Sequence, residues 1–406
     1  MLFSFITLFT MHNHLQHKLD FLIIGAGPAG LLTTIQLLQS GEKYSIGLVD
    51  KKNPWQEPVA CAEAVHKTGL ATLVPKVENS WIRETIDGVI FVAPDRTEVK
   101  FIKKASGIII NRALMHKDLA NECIRGGAQC NFKTKIRTIS AYENGYRTVS
   151  YTGETTGKLQ AKVVIDCSGP GSRFGKTEAV TQGNYDLEPA IFTLAQGISY
   201  PANFIQLFFG KCYAPGGYAW LFPRDDGTAN IGLVIGRKYS KSTSLKKSLS
   251  KFLDECFPGA KTEPPTGGAI ACGYSQKPFA ADNLLKVGDA ANMVNPISRS
   301  GILEAMYGGH LAAETALQII KLNSEIQKKP FYQSYQQKWV KKYGKHHHHL
   351  NKAKNAFGNI KDEVFSSAAQ KLTKISPEKM TMRKIFLTTL FSNPLLFWHM
   401  RGMILK

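Results

Sequence analysis

The chain has no C-x-x-C pair, and its seven cysteines stand apart at 61, 123, 130, 167, 212, 256 and 272. An odd, scattered set argues against a disulfide scaffold or a structural zinc site and suits a reducing cytoplasm. Acids are scarce, 31 against 51 Lys and Arg, which leaves a formal charge of +20. A basic surface attracts anionic lipid headgroups, nucleic acid or acidic substrates, and net charge alone does not choose among them. There is no internal repeat, which sets aside repeat architectures. The first ten residues are apolar and uncharged. They are too short to span a bilayer and lack the basic start of a secretory signal. Residues 1–19 are expected to be a flexible leader, disordered or misassigned, with Met11 as an alternative start. A short membrane-surface anchor is the other reading.

What is present is an ordinary globular composition. The 406 residues are 43% hydrophobic and 20% charged, enough for two packed domains and a tail. Phe21–Ile24 reads as a buried strand, Pro28–Gln39 as the helix after it, and Ser45–Asp50 as the next strand. That is the opening of a doubly wound α/β fold. Asn111–Arg125 has helical spacing with Leu114, Leu119 and Cys123 on its apolar face. Lys135–Ser140, Tyr146–Tyr151 and Lys158–Ile165 read as strands. From Ala190 to Ala271 strands and turns dominate, which predicts an antiparallel sheet. Gly301–Lys321 reads as a long helix that returns to the first domain. The expected division is a discontinuous dinucleotide-binding domain at 20–185 and 272–325, a substrate domain at 186–271, and a basic helical tail at 326–406.

Gly25-Ala26-Gly27-Pro28-Ala29-Gly30 follows the first strand and opens a helix. Gly25 permits the tight turn, Gly27 lets backbone touch a pyrophosphate, and Gly30 lets the helix pack on the strand. The helix N-terminus supplies N–H groups and a positive dipole end, and Ala29 joins this cofactor-facing set. Asp50, 25 residues beyond Gly25 at a strand end, is placed to accept ribose hydroxyls. This motif alone does not separate FAD from NAD. Leu284–Val287 followed by Gly288-Asp289, Pro296 and Gly301 does. Asp289 at a strand end takes a ribityl or ribose hydroxyl. The helix from Gly301 aims its dipole at the flavin edge where negative charge develops on reduction. Val163–Gly169 is a further strand-to-glycine turn of the kind that closes over FAD.

Three stretches are similar to the geranylgeranyl reductase family. They are Pro58–Val65, with a Cys61-Ala62-Glu63 turn where the family has a Cys-Gly-Glu-like one; Gly217–Pro223 through Gly232, which matches a YxWxFP motif; and Gly288–Ile302. The resemblance covers residues 20 to 325. It implies FAD enzymes of the para-hydroxybenzoate hydroxylase-like fold that reduce C=C bonds in polyprenyl chains of lipids, chlorophyll precursors or quinones. It implies FAD contacts at Asp50, Cys61, Ala62, Ala64, Arg112, Asp289, Gly301 and Ile302, with a backbone contact from Ile136 near the adenine. Tyr218, Trp220 and Phe222 alternate on a strand and share one face, which in the family lines the prenyl cavity together with Pro223. Cys61 is the candidate catalytic side chain. A thiol there either protonates the carbon opposite the hydride or packs against the ring. Two departures stand out: Ala62 replaces a glycine, and Ile297-Ser298-Arg299-Ser300-Gly301 replaces a glycine run, with Arg299 facing the flavin edge or a substrate headgroup.

The expected reaction is hydride transfer from reduced FAD to an isolated alkene, with a protein acid or water protonating the other carbon. The alternative is a flavin monooxygenase or halogenase acting on an aromatic or apolar small molecule. A non-enzymatic alternative is a membrane-surface protein that retains FAD for structure. The electron donor is NADPH or a reduced ferredoxin-like protein, because no second Gly-rich strand–helix unit is visible. Nucleic acid is not an expected partner. From Lys338 to Lys406 there are 14 basic residues against 3 acids, and Ile385–Leu405 is apolar between Arg383-Lys384 and Lys406. A cytoplasmic protein in peripheral contact with the anionic inner face of the membrane is therefore expected. Two short helices capping the substrate domain are the other reading of that segment. His346–His349 reads as a solvated basic run, with no functional metal.

Overall fold

The computed structural model describes residues 15–183 and 186–391. Residues 1–14 of the expected leader and 392–405 of the apolar segment Ile385–Leu405 lie outside the described residues. The first strand, Lys18–Ile24, begins inside the expected leader. Leu19 is 1% exposed and pairs with Ala161, so packing starts the strand three residues before Phe21.

The first sheet has a parallel centre, in the order Leu284–Lys286, Thr156–Asp166, Lys18–Ile24, Ile46–Val49, Gln129–Asn131. Side chains alternate across it. Phe21 and Ile23 enter the core under the helices Pro28–Leu38, Arg112–Arg125 and Ile302–Ile319, while Leu22 and Ile24 enter the core on the far face. That far face is covered by the hairpin Lys135–Glu143 and Tyr146–Thr152, which pairs onto Thr156–Asp166. Burial on both faces is why the central strands are continuously apolar.

The second sheet contains Leu187–Gln196, Ala229–Val234, Tyr218–Pro223, Phe204–Phe208, Ile82–Val92, Glu98–Ile110 and Ala64–His66 in spatial order, with Lys261–Thr262 and Thr266–Ala271 paired to the first of these. All its pairs are antiparallel except Phe204–Phe208 with Ile82–Val92. Ala64–His66, Ile82–Val92 and Glu98–Ile110 fall in the range 20–185 expected for the FAD domain, yet they belong to this sheet. Ile82–Val92 alternates buried and half-buried positions over its second half. That pattern fits a sheet with one solvated face, not the doubly covered parallel sheet. The helix Leu245–Cys256 covers one face through Leu249 and Phe252. The other face looks toward the glycine turn.

The helix Glu325–Trp339 of the tail is built into the first domain. Tyr335 and Trp339 are buried in its core, and the Tyr335 hydroxyl donates to the Lys286 carbonyl at 2.7 Å. Lys345–Gly358, Asp362–Leu372 and Met382–Phe391 follow. Among the described residues, no helix is long and apolar enough to cross a membrane.

Candidate functional site

Four strand ends meet at one edge of the first sheet. Ile24 stands opposite Val49 on one side and Asp166 on the other, and Lys286 stands opposite Asp166. The strands are parallel, so Gly25, Asp50, Cys167 and Val287–Asp289 emerge together. Chain order runs outward in both directions from Lys18–Ile24. The crevice beside it is therefore a switch point of the kind where open α/β sheets bind ligands.

Each glycine of the turn has its own reason. Gly25 has φ +104°, and a Cβ there would lie 2.2 Å from the Cys167 carbonyl oxygen. A Cβ on Gly30 would lie 1.8 Å from the carbonyl oxygen of Gly25. Gly27 differs: its φ is −78°, and beyond its own chain neighbours no protein atom lies within 4 Å of a Cβ built there. The space over Gly27 belongs to the cavity. The helix Pro28–Leu38 has no side-chain cap, which leaves its leading N–H groups to an anion. Asp50 is pinned against the turn: Oδ2 accepts from the Ala26 N–H at 2.7 Å and Oδ1 from the Lys52 N–H at 2.8 Å. Each oxygen keeps acceptor capacity for a hydroxyl.

From Gly27 a continuous cavity of about 1210 Å³ runs to the second sheet. Its wall includes Gly27, Ala29, Cys61, Ala62, Ala64, Arg112, Asp289, Gly301 and Ile302, together with Tyr218, Trp220 and Phe222. Thus the residues singled out in the sequence largely share one chamber. Five are not on its wall. Gly25 and Gly30 pack the turn internally, and Asp50 reaches it through Ala26. Ile136 buries its side chain in the core on the far face of the sheet. Pro223 pairs with Ala229 at the end of its strand.

The strand Tyr218–Pro223 sends Ala219 and Leu221 into the core under the helix Leu245–Cys256, and Trp220 and Phe222 to the cavity side. Trp220 rests over Gly232, where a Cβ would fall 2.4 Å from its ring. Its indole N–H donates to Asn230 Oδ1 at 2.9 Å, and Asn230 Nδ2 donates to the Cys61 carbonyl at 3.0 Å. The aromatic strand and the cysteine turn are thereby locked together. Cys61 Sγ accepts from the Glu63 N–H at 3.2 Å.

The charges around the chamber are buried or half-buried. Burial pushes the Glu63 carboxyl up, against the opposing pull of Arg224, Arg83 and Arg112. Burial also raises Asp289, opposed by Arg112. Arg112 Nε donates to His116 Nε2 at 3.2 Å, and His116 Nδ1 bonds the Pro54 carbonyl at 2.9 Å. A carbonyl only accepts, so the proton is on Nδ1 and the ring is neutral. Burial first, then Arg112, pushes His116 down to about 3. Its folded value is depressed, so its contribution to stability is full above pH 6.5 and drains as pH falls toward 3. Between pH 6.5 and 5 the loss is about 2 kcal/mol. A urea midpoint that falls over this range in the native chain, and falls less in His116→Gln, is the expected result.

Arg299 stands on the chamber wall, and its guanidinium is held by protein partners. Its Nε donates to buried Glu188 at 2.9 Å and its Nη2 to the Gly216 carbonyl at 3.1 Å. Lys354, from the tail, holds the other oxygen of Glu188 at 2.6 Å. The loop over the cavity is thus tied to the second sheet and to the tail. His346–His349 is not uniformly solvated either: His347 is 2% exposed, because the helix Lys345–Gly358 turns it into the protein beside Trp339 and Tyr343. His116, Asn230, Glu188 and Lys286 were not singled out in the sequence as site-building groups. Only Asn230 carries a local signal, as part of the Gly227–Gly232 stretch that follows the aromatic strand.

An uncapped helix N-terminus, an open cradle over one glycine, a pinned carboxylate and a second acid three strands away at the same edge fit a flavin dinucleotide. The adjoining apolar chamber makes the class a flavin-dependent oxidoreductase. Comparison with known proteins agrees. The model of the geranylgeranyl reductase catalytic domain matches residues 186–267, and that of lycopene cyclase protein matches residues 20–189. Digeranylgeranylglycerophospholipid reductase 2 of Methanosphaera stadtmanae is 31% identical, over 90% of this chain and 94% of its own. The digeranylgeranylglycerophospholipid reductase of Methanosphaerula palustris is also 31% identical, over 95% and 98%. A geranylgeranyl bacteriochlorophyll reductase-like protein of Thermoplasma acidophilum shares the fold with a TM-score of 0.84 at 20% identity, over 95% of this chain and 99% of its own. A triple mutant of the flavin-dependent brominase Bmp2 shares it with a TM-score of 0.69 at 16% identity, over 96% of this chain and 100% of its own. The chain belongs to the geranylgeranyl reductase family of FAD-dependent oxidoreductases, which act on C=C bonds of polyprenyl compounds.

Proposed function

We propose that this protein saturates C=C bonds in the geranylgeranyl chains of a glycerophospholipid that carries two of them. The observation that carries the reading is the chamber itself. It joins the glycine turn to the aromatic strand and continues past Phe209, Phe357 and Phe365 to Met382, an apolar path suited to a long hydrocarbon. Reductases bearing that lipid's name are the relatives matched over nearly the whole chain.

When bound and reduced, FAD supplies the hydride. The chain is assigned the remaining work. Gly27 and the helix start receive the pyrophosphate, and Asp50 and Asp289 receive sugar and ribityl hydroxyls. Ala29, Cys61, Ala62, Ala64, Arg112, Gly301 and Ile302 surround the rest of the cofactor. Tyr218, Trp220 and Phe222 exclude water and hold the alkene in place, since an unactivated alkene reacts only when closely aligned. The reductant is NADPH or a reduced ferredoxin-like protein.

Met382 is 51% exposed and lies on the chamber wall, amid exposed Lys371, Lys374, Lys379, Arg383 and Lys384. This supports docking of the mouth on an anionic bilayer. The full chain is expected to float with vesicles containing anionic phospholipid and to stay behind with purely zwitterionic ones.

The deciding assay is anaerobic. Flavin is reduced with dithionite, digeranylgeranyl phospholipid is added, and products are weighed by mass spectrometry. A gain of two hydrogens per bond with reoxidation of the flavin supports the reading. Flavin that stays reduced with every polyprenyl compound, yet turns over an aromatic with O2, would replace it with the monooxygenase reading.

A further inference from the structure

Saturation of an alkene adds one hydride and one proton, and the proton needs a source inside a dry chamber. Three acids stand on the chamber wall, Glu63 and Glu304 buried and Asp289 half-buried. They are not equivalent. Glu63 faces Arg224, Arg83 and Arg112, and Asp289 faces Arg112; a cation at each favours the carboxylate. Glu304 has no lysine or arginine among the partners described for it. It is 7% exposed, in the first turn of the helix Ile302–Ile319.

The titratable groups that face it come from three elements. They are Asp289 from the turn Gly288–Ala291, Tyr343 from the turn Val340–Gly344, and His347 from the helix Lys345–Gly358. Burial drives Glu304 toward its protonated form. Burial and His346 hold His347 neutral, down to about 4. The two lie 3.8 Å apart, Oε1 to Nε2, and His347 Nδ1 has no hydrogen-bond partner among the described residues. On the chamber side, Glu304 Oε1 is bonded to Ser300 Oγ at 3.1 Å, and Ser300 Oγ to Ser298 Oγ at 3.0 Å. Both serines are on the wall.

We propose that Glu304 is the proton store of the reaction, delivering through Ser300 and Ser298 to the chamber and refilled through His347. The inference rests on the alkene reduction proposed above. The hydride's electron pair makes one new C–H bond. The π pair of the alkene takes the proton as the Glu304 O–H bond breaks. The resulting carboxylate sits at a helix N-terminus, whose dipole stabilises it. It also raises the proton affinity of His347, which draws a proton from the side of exposed His346 and returns it. The histidine run thereby acquires a role that its surface reading did not suggest.

The test uses the full-length holoprotein, Glu304→Gln and Glu304→Asp. Gln keeps the shape and the Ser300 contact but carries no acidic proton. Infrared spectroscopy at neutral pH is expected to show a protonated-carboxyl band in the native protein that Glu304→Gln lacks. Single-turnover saturation of the lipid by pre-reduced enzyme is expected to slow by roughly 10²–10⁴-fold in Glu304→Gln, and to recover in part in Glu304→Asp. The native rate is expected to fall as pH rises through the Glu304 value, with that dependence missing in Gln. An unchanged carboxyl band, or a Gln variant that saturates the alkene at the native rate, overturns the proposal. A native enzyme that reduces no polyprenyl compound overturns the proposed function instead, and the infrared arm still decides where the proton is held.

Discussion

Lys286→Met is expected to destabilise the fold by about 3–5 kcal/mol, a large part of the ~5–15 kcal/mol that holds a protein folded. Lys286 and Asp166 are both fully buried, with Nζ 2.5 Å from Oδ2. Lys286 Nζ also donates to Ser172 Oγ at 2.7 Å and to the Phe174 carbonyl at 3.1 Å. The Asp166 oxygens take the Ser168 N–H at 2.9 Å and the Ser172 hydroxyl at 2.5 Å. The pair joins the strand before the Cys167 turn to the strand before Gly288-Asp289, so it sets the spacing of two of the four strand ends at the cofactor crevice.

Met fills similar volume but leaves a carboxylate buried without a cation. Burial by itself would raise Asp166; Lys286 reverses this and holds it below the usual carboxylate value. In the native chain, this contribution to stability is present above about pH 3.9, the unfolded value, and is lost only as pH falls through the lower folded value. In Lys286→Met the sign changes. Asp166 is then raised, and the stability deficit relative to the native chain should shrink as pH is lowered from 7 toward 4. Urea unfolding at several pH values reads both effects. The double variant Lys286→Met, Asp166→Asn should recover most of the loss, because no charge remains buried. A single variant as stable as the native chain would show the pair to be dispensable.

The second large effect separates folding from cofactor binding on one turn. Gly27→Ala should leave unfolding of the flavin-free protein within about 0.5 kcal/mol of native, since the new methyl meets no protein atom and φ is ordinary. The same methyl occupies the approach to a pyrophosphate, so flavin affinity should drop by roughly 100-fold, about 2.7 kcal/mol. Gly30→Ala should behave differently. Its methyl would lie 1.8 Å from the Gly25 carbonyl oxygen, so the helix must move off the strand. A fold penalty of about 3 kcal/mol is expected along with flavin loss. Fluorescence titration with FAD and urea unfolding of the same three proteins give the comparison. Undiminished flavin retention in Gly27→Ala would remove the phosphate from this turn.

Local chemistry made much of this legible. A strand, a glycine turn and a helix follow from one another along a few residues, and Tyr218, Trp220 and Phe222 share a face because strands alternate. Asp50 and Asp289 could be placed because each ends an apolar run. The second sheet was read only in part. Ala64–His66, Ile82–Val92 and Glu98–Ile110 lie among FAD-domain residues in sequence, and the pairings of Ile82–Val92 with Phe204–Phe208 and of Ala64–His66 with Glu98–Ile110 span chain separations that no periodicity encodes.

The cofactor turn, the aromatic face and the family motifs are legible from residue order, because each depends on spacing within single elements. Tertiary structure alone decided which charges meet: Lys286 with Asp166, Arg299 and Lys354 with Glu188, His116 with Arg112, and Glu304 with His347. Most of these partners are separated by tens to more than a hundred residues. Register and burial bring them together, and the same burial turns ordinary surface residue types into a neutral imidazole, a paired carboxylate and an acid held above its usual value.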